Sequence, residues 1–326
     1  MACWVAAPQP LTGQATRLQP AQGTLQRRFR EQRPILRSVQ DIGGETIQLR
    51  DGRLLGYAEW GDPSGHPLLY FHGFPGSRVE GRVGDPAAKA TGVRVIALDR
   101  PGMGLSDFQP ARSFLDWPED VRQVADALGL ERFAILGISG GSPYAAVCAW
   151  KLPQRLTRAG IVSGIGPLNG PGATEGMSRQ NRFLLQTVGR LPALPRTLMA
   201  VTARQARRPA RALEQGRRAL AAVDQPYLDR PEFREALEAT LAEAFRRGGR
   251  GPAWELRLLA RPWGFPLEDI RAPVHLWHGE QDANHPLAMA RHLAAAIPDC
   301  RVSFYPGEGH MHFVDRFPEI LPALCP

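Results

Sequence analysis

The string Gly137-Ile138-Ser139-Gly140-Gly141-Ser142-Pro143 sets one serine among three glycines. In the spacing Gly-x-Ser-x-Gly a strand runs into a tight turn and leaves directly as a helix, which presents the serine Oγ as a nucleophile. The residues two before and two after the serine must be small, because strand and helix approach each other there. A glycine turn without chemistry has the same composition, so the flanks carry the distinction. Residues 132–138 (RFAILGI) are an apolar run of strand length, and 144–152 (YAAVCAWKL) suit a helix. Pro143 then falls in the first helical turn, where a missing N–H is tolerated. This context favours a nucleophile elbow at Ser139 with Gly137 and Gly141 as its supports.

A serine hydroxyl attacks a carbonyl only when a base takes its proton and an acid orients that base. Of the eight histidines, His310 closes the string GEGH directly after the last strand-like run. That places it on a loop at the C-terminal end of a strand, where open α/β sheets gather their sites. Asp282, in HGEQDANHP, has the same placement one strand earlier. His312, Glu280 and Asp107 are the rival base and acids. His72 and His278 precede glycines and suit loop-fixing roles, as Asp99 and Arg100 suit bracing of a turn. Trp254 and Trp263 fit a pocket wall or amphipathic helix packing equally.

The elements that must position these residues begin at about residue 41. ETIQLRDGRLLGYAEWG (45–61) reads as two strands joined at Asp51-Gly52, a hairpin signal. Strand-like runs follow at 67–73, 93–102, 132–139, 158–164, 273–282 and 300–310, with helix-like segments between them, including 113–130, whose pattern Pro118 interrupts. Alternation of this kind predicts a mostly parallel central sheet flanked by helices. Residues 166–262 break the rhythm with Ala, Leu, Glu and Arg and no strand-like run, so a helical insertion is expected there. The domain reading is a tail over 1–40, a core of 41–165 and 263–326, and the insertion 166–262.

Composition narrows the partners. The net charge of +8 divides into +5 on residues 1–40, +9 on residues 176–262 and −6 on the rest. A nucleic-acid module would gather its charge with aromatics in one folded unit, and this chain does not, so no nucleic-acid partner is expected. Only Lys89 and Lys151 are lysines among 40 basic residues, which points to coding bias rather than a binding surface. The four cysteines (Cys3, Cys148, Cys300, Cys325) lack metal-ligand spacing, so no metal site is expected, and a buried free thiol at Cys148 fits better than a disulfide framework. The chain has no apolar run long enough to span a membrane, and a cytoplasmic location is expected. The tail, rich in Gln, Pro, Thr and Arg, reads as disordered; its acid-poor, Arg-rich character also suits an organelle transit peptide.

With Ser139, Asp282 and His310 in that chain order, residues 41–326 resemble the α/β-hydrolase superfamily. FHGFPGS (71–77) is similar to the family's oxyanion segment, DRPGMGLSD (99–107) to its loop after the fourth strand, and GISGG to its elbow. The resemblance implies an α/β-hydrolase fold with a helical lid at 166–262. It implies a triad of Ser139, Asp282 and His310, preferred over His312 because GEGH matches the family pattern. The backbone N–H groups of Phe74 and Gly140 would form the oxyanion hole, with His72 and Gly73 in support. Dehalogenases and epoxide hydrolases of the superfamily carry aspartate at the nucleophile position. Proline-cleaving relatives carry tryptophan after it, and perhydrolases methionine; Ser139 and Gly140 match none of these. The expected activity is hydrolysis of an ester, lactone or thioester in a small-molecule substrate, through an acyl-serine and without a cofactor. A carbon-carbon hydrolase, a lyase and a small-molecule receptor use the same residues and remain alternatives. Nothing in the sequence sets an oligomeric state.

Overall fold

In the run Phe133–Ile138 every side chain is buried, as expected for a strand flanked by parallel neighbours and covered on both faces. The computed structural model describes residues 43–326 apart from Pro171 and Pro192. The tail expected over 1–40 lies outside the described residues. Eight strands form one sheet: β1 (Glu45–Gln48), β2 (Leu54–Gly61), β3 (His66–Phe71), β4 (Val93–Leu98), β5 (Phe133–Ile138), β6 (Leu156–Val162), β7 (Val274–Gly279) and β8 (Cys300–Tyr305), in the order β1-β2-β4-β3-β5-β6-β7-β8. β2 runs antiparallel to β1 and β4; all other neighbours are parallel. The run at 93–102 yields a strand only to Leu98, because Asp99 accepts the N–H groups of Arg78 and Leu105 and turns the chain.

Side chains alternate across the sheet and build two apolar layers. Leu68, Tyr70, Val95 and Leu136 face one side, where they meet Phe317, Ile320 and Leu321. Leu69, Phe71, Ile96 and Ile135 face the other, against Trp117, Val121 and Leu293. The covering helices are α1 (Asp85–Thr91), α2 (Trp117–Ala127), α3 (Ser142–Lys151), α9 (Leu287–Ala296) and α10 (Phe313–Leu324). Pro118 does not interrupt α2: the helix starts at Trp117, and the proline occupies its first turn. Cys148, Cys300 and Cys325 are free thiols, the first of them buried on α3.

Between β6 and β7 the chain forms α4 (Arg179–Gln186), α5 (Leu194–Gln205), α6 (Pro209–Gly216), α7 (Pro231–Ala244) and α8 (Arg250–Leu259), with no strand among the described residues. Buried ion pairs tie this insertion to the sheet loops. Arg78 Nη1 lies 3.0 Å from Asp99 Oδ2 and 2.8 Å from Glu243 Oε2 on α7. Glu255 on α8 pairs with Arg100 at 2.9 Å and Arg112 at 2.6 Å, and also accepts the Tyr144 hydroxyl at 2.6 Å. Trp254 donates to the Arg112 carbonyl and Trp263 packs edge-on against Phe114, so both serve packing. No helix among the described residues is long and apolar enough to cross a membrane.

Candidate active site

Ser139 follows the last residue of β5 and has φ of +52°, a left-handed conformation that a non-glycine residue adopts only when its surroundings enforce it. Those surroundings are close backbone approaches. A Cβ on Gly137 would lie 2.5 Å from the Gly141 carbonyl oxygen, and one on Gly141 would lie 2.2 Å from that of Phe71. The two glycines therefore let strand, turn and α3 converge with Ser139 at the apex.

His310 and Asp282 reach the same point from the loops after β8 and β7. His310 Nε2 stands 3.0 Å from Ser139 Oγ, and its Nδ1 stands 2.7 Å from Asp282 Oδ2. An ionised carboxylate can only accept, so the ring proton sits on Nδ1 and Nε2 is left to accept from the serine hydroxyl. Asp282 is held in turn: its Oδ1 accepts the N–H groups of Asn284 at 2.8 Å and His285 at 2.9 Å. Burial alone would raise the Asp282 pKa, but the neighbouring His310 outweighs it and holds the carboxyl below its ordinary range. For His310, burial works to lower the pKa, and the Asp282 charge and hydrogen bond overcome it and raise it.

Beside the serine, Phe74 N–H has no hydrogen-bond partner among the described residues. Gly140 N–H belongs to the first helical turn, where no intrahelical acceptor exists. A Cβ on Gly140 would lie 3.3 Å from Phe74 N and 3.6 Å from Leu259 Cδ1 of the insertion, so the two N–H groups are neighbours in a tight wall. The segment that carries Phe74 is braced from behind. Arg100 donates to the carbonyls of His72 and Gly73, and Glu255 pairs with Arg100. His72 turns its Nδ1 to the Gly73 carbonyl at 2.8 Å, and burial depresses its pKa well below the usual histidine range.

The rivals lie elsewhere. His312 contacts Ser163 Oγ and the Gly309 carbonyl; Asp107 accepts Leu54 N–H and pairs with Arg247; Glu280 is exposed. His278 donates to the His285 carbonyl. Three residues at the site escaped sequence reasoning. Glu80 is buried and accepts Gly73 N–H at 2.7 Å and the Tyr70 hydroxyl at 2.9 Å. His285 packs edge-on against His310, and Asp224 comes from the insertion to the His310 main chain. No local pattern marks any of them; only HGEQDANHP hinted at a second histidine near Asp282. Asp282, His285 and His310 also present ligand-type atoms within 4.8 Å of one another. Asp282 Oδ2 and His310 Nδ1 are already bonded to each other, and His285 Nδ1 to the Ser163 carbonyl, so a metal there would have to break this line.

The family model for the alpha/beta hydrolase fold matches residues 66–317. The chain belongs to the α/β-hydrolase family. Its similarity to epoxide hydrolase B of Mycobacterium tuberculosis is 33% identity over 137 residues, covering 39% of this chain and 38% of that protein. A pimeloyl-[acyl-carrier protein] methyl ester esterase of Aromatoleum aromaticum is 42% identical over 83 residues, covering 25% of this chain and 33% of its own length. The matched stretches thus span less than half of these curated relatives. Among solved structures, an esterase of a Rhodococcus species superimposes with a TM-score of 0.62 at 22% identity, over 86% of this chain and 99% of that one. A bromoperoxidase of Bacillus anthracis gives 0.61 at 21%, over 86% and 99%. At such identities the likeness shows a shared fold.

Proposed function

We propose that the protein is a serine hydrolase that cleaves an ester, lactone or thioester in a small-molecule substrate through an acyl-serine intermediate. The observation that carries this reading is the hydrogen-bonded line from Ser139 Oγ through His310 to Asp282, at 3.0 and 2.7 Å, on a serine with φ of +52°. Ser139 Oγ attacks the carbonyl as His310 Nε2 takes its proton, and Asp282 stabilises the imidazolium that forms. The N–H groups of Phe74 and Gly140 take up the charge on the tetrahedral oxygen. His310 then protonates the leaving group. Water, deprotonated by the same nitrogen, attacks the acyl-serine; His310 returns that proton to Ser139 Oγ as the acid leaves, so the cycle closes without a cofactor. The insertion 166–262 serves as lid, with Leu259 beside the oxyanion wall, and the enzyme works in the cytoplasm. The epoxide hydrolase and bromoperoxidase names stay with those proteins: Ser139 stands where epoxide hydrolases of the superfamily carry aspartate, and Gly140 where many perhydrolases carry methionine.

The test is labelling by a fluorophosphonate together with turnover of p-nitrophenyl esters. Ser139→Ala is expected to abolish both, and His310→Ala to lower kcat on the order of 10⁴-fold. Undiminished labelling of Ser139→Ala would overturn the reading. So would a plateau near one product per protein for every ester, with a persistent acyl mass, which is the signature of a receptor.

A further inference from the structure

Asp224 lies in the string AAVDQPYLD of the insertion, 86 residues from His310 in sequence, yet it is only 1% exposed. It precedes a short helical turn, Gln225–Asp229, whose N–H groups its side chain does not cap. The carboxylate is directed elsewhere: Oδ2 accepts His310 N–H at 3.1 Å and Oδ1 accepts Met311 N–H at 2.8 Å. These are the first N–H groups of the turn His310–His312 that continues into α10, and such groups have no acceptor of their own. The residue at their cap position is Gly309, which has no side chain to offer. A Cβ on Gly309 would lie 2.5 Å from Asp224 Oδ1, so the absence of a side chain there is what admits the carboxylate. The cap of this helix is supplied by another part of the chain. On the other side, Ser163 Oγ donates to the His310 carbonyl at 2.7 Å, so the main chain of His310 is gripped from both ends.

Charge adds to geometry. The groups facing His310 are Asp282 and His285 from the loop after β7, His278 on β7, Glu80 from the turn 78–84, His312 from its own turn, and Asp224 from the insertion. Burial holds the three neighbouring histidines at depressed pKa, with His285 and His312 at about 4. Burial raises the Asp224 and Glu80 carboxyls above their ordinary values, against the N–H groups that each accepts, and in their ionised form both favour the charged His310 ring.

We propose that Asp224 is a positioning residue for His310: the insertion lends the carboxylate that caps the base's own helix, fixes its main chain and sets a negative charge beside its ring. This rests on the reading of His310 as the catalytic base. It makes the insertion part of the catalytic frame as well as a cover, since the base is fully held only while the insertion is docked.

The experiment compares Asp224→Asn and Asp224→Ala with wild type by kcat, KM and pH profile on a p-nitrophenyl ester, and by NMR titration of the His310 ring. Asp224→Ala is expected to lower kcat on the order of tenfold to a hundredfold with KM nearly unchanged. Asp224→Asn keeps an oxygen for one N–H and should recover part of kcat. The negative charge favours the imidazolium, so its removal in either variant should lower the His310 pKa. The acid limb of kcat/KM and the NMR titration should both move to lower pH by about half a unit or more. Should Asp224→Ala fail to fold, Asp224→Asn decides. Unchanged kcat and titration in the variants would overturn the proposal, as would a raised KM at constant kcat. Lost kcat with an unmoved His310 titration would reduce Asp224 to a structural contact and overturn it too. Absence of ester turnover in wild type would instead sink the hydrolase reading, while the NMR titration would still test Asp224.

Discussion

His285 meets His310 edge to face, with ring centroids 5.0 Å apart and planes at 75°. Two imidazoles this close cannot both carry charge without repulsion. Burial and the His310 charge push His285 down to a pKa of about 4, and its Nδ1 is engaged by the Ser163 carbonyl at 2.8 Å. Under the proposed function, His285 stays neutral while His310 takes up and gives back its proton. An asparagine amide can replace the Nδ1–H bond, so His285→Asn should keep kcat within about tenfold and leave the acid limb of kcat/KM unmoved. His285→Lys, which puts a cation there, should push that limb to lower pH. Measured pH profiles in which asparagine shifts the limb as far as lysine would refute the assignment of charge.

Glu80 sets the segment that carries Phe74, because its carboxylate takes the N–H of the preceding Gly73. Glu80→Ala should leave Gly73 N–H and the Tyr70 hydroxyl without an acceptor and let the segment that carries Phe74 drift, the proposed oxyanion donor with it. A loss in kcat on the order of 10²-fold is expected, with little change in KM. Glu80→Gln, which keeps the acceptor oxygen, should retain most of the activity. Equal losses in the two variants would show that the charge, not the hydrogen bond, is what matters.

Glu255 is fully buried between Arg100 and Arg112, and their charges overcome its burial and hold its pKa low. Removing it strands two buried guanidinium groups. Glu255→Ala should cost about 3–5 kcal/mol of stability by chemical denaturation. It should also lower kcat, since Arg100 is the brace of the His72 and Gly73 carbonyls. A variant as stable as wild type would mean that the pair is not a keystone of the insertion's docking.

Four buried histidines shape the stability profile. His72, His278, His285 and His312 all have pKa values lowered from 6.5 by burial, the last two to about 4. Between those values and 6.5 the unfolded chain binds protons that the folded chain refuses. Their stability contribution is therefore present above about pH 6.5 and lost as pH falls towards 4, at ~1.4 kcal/mol per pH unit for each histidine in its window. His310 has the opposite sign: its raised pKa stabilises fully below 6.5 and is lost as pH rises through the folded value. The Tm should drop steadily below about pH 6.5, while above it, among these rings, only His310 works to lower it. A level Tm down to pH 4.5 would contradict the neutral burial of these rings.

What the sequence determined by itself is local or periodic. Gly137 answers a contact within one turn, with the Gly141 carbonyl, and the left-handed φ of Ser139 belongs to that turn, whereas Gly141 makes room for the Phe71 carbonyl at the end of β3. Runs such as Phe133–Ile138 state their own burial, and a loop directly after a strand-like run states which edge of the sheet it joins, which is why Asp282 and His310 were legible. Even Pro118 was legible in kind and misplaced by one turn, since a proline marks a helix start as readily as a break. The tertiary structure alone decided what lies across long separations. Asp224 reaches His310 over 86 residues and Glu255 reaches Arg112 over 143. A carboxylate that closes a distant cap or a buried ion pair leaves no period or spacing in the chain around it. Its partner is set by how the insertion docks on the sheet, and that docking is the sum of many contacts between segments far apart in sequence.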